Sequence, residues 1–316
     1  MEQVLTLTQK DLPDILALMQ LIQPHLPRTQ ELLNWQYFEC PHGVSRLYGM
    51  RDQNKLVAIY TGITNLVQVG SDLKTARMIQ DVMTHPDYRG RGYLHLLAER
   101  CLQDMLQAGE LGFTFPNEKS ENSFRRTGWR ELGRVPLRNK APRSKTLDTQ
   151  ALKLNEGFTE VSDTFHSSVD EIWKNAGLPV GVARTAKYLN WRYQKPGVTY
   201  HKYLIGNNTG YLVLKYFNSG TDKNLHICDL LVKKEKINEV ENILRFIENL
   251  AIENNVSQMT AWLSEIHPYS YAFNQFGLRL KPEYFRYVFV CFPDPKDEVL
   301  ANIGLWQLTQ GDSDVY

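Results

Sequence analysis

Residues 81–94 read Asp81-Val82-Met83-Thr84-His85-Pro86-Asp87-Tyr88-Arg89-Gly90-Arg91-Gly92-Tyr93-Leu94. An apolar strand pattern runs into a turn of two arginines and two glycines, and a helical pattern starts at once. The first amides of a helix have no partner inside it, point outward and favour a negative ligand. Glycines let the backbone approach phosphate oxygens, and Arg89 and Arg91 add positive charge. The chemistry implied is anion binding at a strand-to-helix turn. Glycine-rich turns are common, so from the turn alone a plain tight turn is an equal reading.

The elements that must position this turn are legible. After it, Leu94, Leu97, Ala98, Cys101, Leu102, Met105 and Leu106 recur at helical spacing, and Gly109 suits a left-handed C-terminal cap. Before it, strands are expected at 4–7, 47–50, 56–63 and 75–84, with a helix capped by Asp11 and running through Ile22. Residues 112–115 read as the next strand. The order then repeats. Thr29-Gln30-Glu31-Leu32-Leu33-Asn34-Trp35-Gln36-Tyr37 returns as Thr185-Ala186-Lys187-Tyr188-Leu189-Asn190-Trp191-Arg192-Tyr193, at an offset of 185 − 29 = 156. Gln80-Asp81-Val82-Met83 is similar to Cys228-Asp229-Leu230-Leu231, and Phe124-x-x-x-Gly128 to Phe273-x-x-x-Gly277. In the second half, Ile237, Val240, Leu244, Ile247 and Ala251 share a helix face, and 259–263 reads as the following strand. Two similar mixed α/β domains are expected, 1–140 and 157–316, joined by the polar linker 141–156.

Composition excludes several classes. The 316 residues suit one large domain or two ordinary ones. Hydrophobic residues at 42% and charged residues at 22% are those of a globular protein, and a net charge of +1 gives no global pull toward nucleic acid. The four cysteines (Cys40, Cys101, Cys228, Cys291) and the eight histidines show no metal-ligand spacing, so free thiols and no metal are expected. The N-terminus lacks the basic and apolar regions of a secretory leader, and no apolar run approaches the ~18 residues a membrane helix needs. A cytoplasmic protein without a membrane partner is the expectation.

The segment from Thr84 to Leu94 resembles the signature of the GCN5-related N-acetyltransferase (GNAT) superfamily, Arg/Gln-x-x-Gly-x-Gly/Ala preceded by Val-x-Pro-x-Tyr. The final Gly/Ala position is Leu94 here. Phe115-Pro116-Asn117 and Phe124-x-x-x-Gly128-Trp129 are similar to the family's later strand and helix. The resemblance covers most of residues 1–140 and, more faintly, 157–292. It implies two tandem domains, each a mostly antiparallel splayed sheet flanked by helices. It implies acetyl-CoA or another acyl-CoA as co-substrate. Arg89, Gly90, Arg91, Gly92, Tyr93 and Leu94 would hold its pyrophosphate. Val82, Met83 and Thr84 would line the pantetheine arm and thioester, with Asn117 and Phe124 nearby. Lys233-Lys234-Glu235-Lys236 replaces the glycine turn in the second half, so one acyl-CoA per chain is expected.

Amine acylation needs a base for the ammonium and a donor for the oxyanion. Asp81 is the internal base candidate, against a structural role that Asp229 would share; Glu118 is a weaker candidate. Where the family often places an acidic tyrosine, this chain has Phe124, which cannot donate. Tandem relatives such as N-myristoyltransferases use a terminal carboxylate as base, so the resemblance makes Tyr316 a second candidate, against a tail that only packs. The expected activity is acyl transfer, acetyl first, to a primary amine of a small molecule such as an amino sugar. A non-catalytic acyl-CoA-binding module is the alternative.

Overall fold

The structure, a computed structural model, describes residues 3–143, 157–292 and 297–313. Backbone contacts divide the chain into two units. In the first, β1 (Leu5–Leu7), β2 (Arg46–Asp52), β3 (Lys55–Val69) and β4 (Asp72–Thr84) pair antiparallel in that order. Helix α1 (Leu12–Ile22) and helix α2 (Gln30–Phe38) lie between β1 and β2 in sequence, and Thr29 caps α2 by accepting the Leu32 N–H at 3.1 Å. Helix α3 (Tyr93–Gln107) returns the chain so that β5 (Leu111–Thr114) runs parallel to β4, as a crossover connection requires. The apolar face read from the sequence is the buried one except at its end, where Leu106 is exposed. Leu97, Ala98, Cys101 and Met105 of α3 pack with Tyr48, Val57, Tyr60 and Ile79 of the sheet. Gly109 adopts φ +66° after the helix, and the Glu110 N–H bonds back to Met105 O at 2.9 Å, closing the last turn as expected. Helix α4 (Glu118–Arg126) follows β5.

Strand β4 is not regular. Thr61 pairs with Gln80 and Ile59 with Met83, so Asp81 and Val82 together face Tyr60 alone. Asp81 takes the left-handed conformation, φ +48°. Such a bulge bends the strand. The parallel pairing with β5 covers Ala76 to Ile79 and Leu111 to Thr114, and β4 continues to Thr84 beyond it.

The last strands of the two halves are exchanged. Strand β6 (Arg130–Lys140) starts in the first unit, but its residues from Arg134 belong to the second. The second unit also contains β7 (Phe158–Glu160), helix α5 (Ser168–Lys174), β8 (Val180–Val182), helix α6 (Ala186–Arg192), β9 (His201–Ile205), β10 (Gly210–Ser219) and β11 (Asp222–Val232). It continues with helix α7 (Val240–Glu253), β12 (Gln258–Trp262), helix α8 (Ser270–Phe276), most of β13 (Arg279–Cys291) and β14 (Trp306–Gln307). Strands β7, β9, β10 and β11 are antiparallel, β12 runs parallel to β11, and the end of β6 pairs with β12. Residues 287–291 of β13 lie in the first unit, where Phe289, Val290 and Cys291 pair with Thr114, Phe113 and Gly112 of β5. Each unit thus takes the end of its sheet from the other half of the sequence. Thr185 caps α6 by accepting the Tyr188 N–H at 3.2 Å, as Thr29 caps α2. Val240, Leu244, Ile247 and Ala251 of α7 pack with Leu212, Leu214, Leu225 and Ile227.

Within the second unit His267 is buried, and its Nδ1 accepts the Tyr269 N–H at 3.1 Å. Its proton is therefore on Nε2, which donates to Gln307 Oε1 at 2.6 Å. Burial pushes its pKa from 6.5 down to about 4. The unfolded chain binds a proton there in that interval and the folded chain does not, so stability falls as pH drops from about 6.5 to about 4. The loss from this group is at most about 3 kcal/mol. Urea midpoints between pH 7 and pH 4.5 should fall less steeply in His267→Gln than in the natural chain. Equal slopes would clear His267 of this role.

Candidate acyl-CoA site

The bulge of β4 is held by a buried carboxylate. Asp81 Oδ2 accepts from Tyr37 Oη at 2.7 Å, Gln36 Nε2 at 2.8 Å and Gln80 Nε2 at 3.2 Å. Its Oδ1 accepts from Arg28 Nη2 at 3.2 Å, and Arg28 Nη1 is tied to Gln23 Oε1 at 2.7 Å. The Asp81 side chain is 5% exposed. Helix α2 supplies two of these donors because residues 36 and 37 fall at its C-terminal end, directed at the strand. Beyond the bulge, Thr84 Oγ1 is buried and has no hydrogen-bond partner. Unpaired buried hydroxyls are rare, and this one lies on the stretch of β4 beyond its pairing with β5.

The turn after β4 is built to be open on its outer side. Arg89, Gly90, Arg91 and Gly92 are exposed. Gly90 and Gly92 have φ of +79° and +80°, and a Cβ on either would meet nothing within 4 Å. The left-handed backbone, not crowding within the chain, is what calls for glycine here. Gly92 caps α3, and the first amides to bond back into the helix are those of His95 and Leu96, both to Gly92 O. The turn is anchored to the β2–β3 hairpin. Tyr88 Oη donates to Asp52 Oδ2 at 2.8 Å, and Lys55 Nζ donates to His85 Nε2 at 2.8 Å. Tyr88 stacks on Tyr93 with ring centroids 6.4 Å apart, and the Arg91 guanidinium sits 4.6 Å from the Tyr88 centroid. That contact keeps Arg91 over the turn while its charge stays in solvent. The Arg89 N–H bonds to Pro86 O at 3.3 Å, and its side chain makes no hydrogen bond or ion pair among the described residues. An exposed helix N-terminus flanked by two arginines, next to a parted strand edge, fits an extended ligand with phosphate at one end.

Residues 3–131 match the family model described as Acetyltransferase (GNAT) domain. The first unit carries a GNAT domain. No curated protein matches the chain. Solved structures share the fold over nearly its whole length. A GCN5-related N-acetyltransferase from Anabaena variabilis has a TM-score of 0.69 at 12% identity, covering 93% of this chain and 73% of that one. A conserved protein of unknown function from Enterococcus faecalis, titled a probable N-acyltransferase, has a TM-score of 0.67 at 13% identity, covering 92% and 73%. The Saccharomyces cerevisiae N-myristoyltransferase with bound myristoyl-CoA has a TM-score of 0.60 at 11% identity, covering 92% and 82%.

In the GNAT domain the residues picked out from the sequence divide. Val82, Met83, Thr84 and 89–92 are contiguous along the parted strand and the turn. The Tyr93 side chain is buried in the core, and Leu94 is half-buried. Asn117 caps α4, its Oδ1 accepting the Ser120 N–H at 3.1 Å. Phe124, expected beside the cofactor, is 4% exposed and lies among Tyr60, Trp129 and Phe289 at centroid distances of 6.4, 5.5 and 6.4 Å. Its ring packs the core because, lacking a hydroxyl, it has no polar end to hold near a ligand. Asp81, the base candidate, has its oxygens taken by four donors. Glu118 is exposed at the start of α4. Tyr316 lies outside the described residues. No group of three metal-ligating side chains and no helix long and apolar enough to cross a membrane occurs among the described residues.

Reading the sequence missed Arg28, although the signal was there. Arg28 precedes Thr29 as Arg184 precedes Thr185, at the same offset, 184 − 28 = 156. In the second unit Arg184 Nε and Tyr193 Oη both donate to Asp229 Oδ2, at 3.3 and 3.0 Å, as Arg28 and Tyr37 do to Asp81. Strand β11 is also bulged there, between the pairs Leu214–Ile227 and Val213–Asp229. Residues 310–312 pack against β11 at and just past its pairing with β12. Gln310 Nε2 donates to Thr260 Oγ1 of β12 at 3.1 Å, and a Cβ on Gly311 would collide with Tyr193 Oη and Cys228 O of β11. Arg184 Nη2 holds both oxygens of Asp312 at 2.8 and 2.6 Å. Burial pushes the Asp229 carboxyl up, and Asp312 adds to this.

Asp81→Ala leaves Arg28, Gln36, Tyr37 and Gln80 without their shared acceptor. Breaking a buried pair of this kind costs about 3–5 kcal/mol. Denaturant unfolding should show a loss near 3 kcal/mol, and Asp81→Asn, which keeps an acceptor oxygen, a smaller one. A loss under about 1 kcal/mol would mean the four bonds do not stabilise the bulge.

Proposed function

We propose that the chain transfers an acyl group, acetyl in the first instance, from acyl-CoA bound by the GNAT domain to the primary amine of a small acceptor. The observation that carries this reading is the coupling of two features. An open left-handed Arg-Gly-Arg-Gly turn at the N-terminus of α3 follows directly on a bulged strand that parts from its neighbour. The turn's amides and arginines suit a pyrophosphate. The strand edge, with the unpartnered Thr84 hydroxyl, suits the amide-rich pantetheine arm. Backbone amides of residues 82–84 would meet the thioester oxygen, and donors already fixed in place stabilise the oxyanion with little reorganisation.

Proton transfer is left to groups other than Asp81 and Phe124. Four donors already bind Asp81, so it serves better as a clamp on the bulge than as a base. Phe124 gives no proton to the leaving thiolate. In this reading the amine loses its proton to water before attack, and the rate rises with pH as the free amine becomes available. The same vacancy supports a second reading, a unit that binds acyl-CoA without turning it over. Incubation of acetyl-CoA with a panel of amines separates the two by release of free thiol.

Binding itself is tested at Gly92. Gly92→Glu puts bulk and negative charge on the open side of the turn, where the chain leaves space. Calorimetry should show CoA affinity lower by at least tenfold, about 1.4 kcal/mol. Unchanged affinity in a folded variant would remove the turn from the binding site.

A further inference from the structure

Both units place an arginine on the bulge carboxylate, but the two arginines differ in what else they grip. Arg184 is flanked by two carboxylates: Asp229 on Nε at 3.3 Å, and Asp312 bidentate on Nη2 at 2.6 and 2.8 Å. Its side chain is 1% exposed. The second carboxylate arrives with residues 309–313, whose Gly311 packs against Cys228 O of β11 just past the last β11–β12 pair, Ile227–Ala261. Arg28 holds Asp81 through Nη2 and Gln23 through Nη1, and no second carboxylate reaches it among the described residues. Its side chain is 14% exposed. A guanidinium has five N–H donors in a fixed fork, so most of this one is unspent.

The repeat equates the two arginines, their tyrosines and their aspartates. The tail of the second unit therefore marks where an extended ligand, and a carboxylate on it, fits against this architecture. In the GNAT domain that place is the edge of the gap past Ile79 and Thr114, where a thioester on residues 82–84 would meet its acceptor. We propose that Arg28 receives a carboxylate of the acceptor there, as Arg184 receives Asp312, so that the acceptor is an amine that also bears a carboxylate. The inference rests on the acyl-CoA reading above and narrows its substrate class. The charges allow it. Asp81 is shared with three neutral donors, Gln36, Tyr37 and Gln80, which leaves the Arg28 fork free to bind a second anion. Arg28 is then a specificity-determining residue as well as a member of the clamp, so its role in specificity is read in the ratio of rates for acid and amide and not in the basal rate.

The test compares amines that differ only in the carboxylate: alanine with alaninamide, and glutamate with its diamide, glutaminamide, with glucosamine as a carboxylate-free amine of another class. Initial rates with acetyl-CoA are referred to the free-amine fraction of each. At least a tenfold higher kcat/KM for the carboxylate member is expected. Arg28→Gln should abolish the ratio and Arg28→Lys should retain part of it. Melting temperature and CoA affinity are followed in both variants, and the ratio within each variant is insensitive to any general loss of active protein. Equal rates for acid and amide in the natural chain, or an unchanged ratio in Arg28→Gln, overturn the proposal. So does CoA binding without acylation of, or a melting shift by, any carboxylate-bearing amine, an outcome that leaves the acyl-CoA reading standing. Failure to bind CoA at all sinks that reading and this proposal with it.

Discussion

An aspartate side chain, buried at a bulge and held by an arginine and a tyrosine from the preceding loop and helix, is the constraint on which the GNAT domain's site depends. Asp81 occupies a left-handed backbone conformation that costs a non-glycine residue of order 1 kcal/mol. Regular strand pairing does not offset that cost. The four donors on the carboxylate do, and they come from Arg28, Gln36, Tyr37 and Gln80. With the bulge fixed, β4 bends, its pairing with β5 stops at Ile79, and residues 82–84 keep an edge with no strand beside it. The turn then starts where the strand has already swung aside. Without the clamp the strand could run straight and pair on, and the edge would close.

The second unit carries the clamp without the glycine turn. Arg184, Tyr193 and Asp229 rebuild the clamp, and β11 bulges and parts from β12 in the same way. Yet Lys233-Lys234-Glu235-Lys236 stands where the glycines would be, and the Lys236 N–H bonds back to Lys233 O in a short 3-10 turn. The helix start is thus differently built, with no left-handed glycines to bring the backbone to a phosphate. A gap left open in a sheet exposes unpaired backbone groups, and a unit without a ligand must cover them. Residues 309–313 do so from within the chain.

The legible part of the sequence was the part governed by local rules. The helical period of α3, its Gly109 cap, the threonine caps of α2 and α6 and the Arg-Gly-Arg-Gly turn all follow from short-range spacing. The repeat conveyed that two similar units exist, and even marked Tyr37 with Tyr193 and Asp81 with Asp229. What it could not convey was that these pairs touch, because a strand some forty residues downstream of the helix brings them together only in the fold. From sequence Asp81 is therefore open to two roles, base or structural hydrogen bond, and its surroundings are those of a buried hydrogen-bonded anchor. The exchange of last strands was likewise invisible. Residues 134–140 and 287–291 have the same strand character whichever sheet they join, so the sequence pattern ends at 140 while the first stretch of the first unit ends at Gly133.

The difference between the units comes down to a few side chains set on a shared frame. Gln36 and Arg192 occupy equivalent places in the repeat, 192 − 36 = 156. Gln36 turns its amide onto the clamp, to Asp81 Oδ2 at 2.8 Å. Arg192 turns away from the clamp to the tail, donating to Gly311 O at 2.7 Å and Ser313 O at 2.8 Å. A buried guanidinium must find acceptors, and backbone carbonyls of an incoming segment supply them at the cost of fixing that segment in place. A glutamine makes no such demand and can be satisfied by the carboxylate next to it. The tail follows the arginine: Gly311 fits only because it has no side chain, and Asp312 then reaches Arg184. The unit with arginine holds part of its own chain against the clamp, and in the unit with glutamine no described segment takes that place.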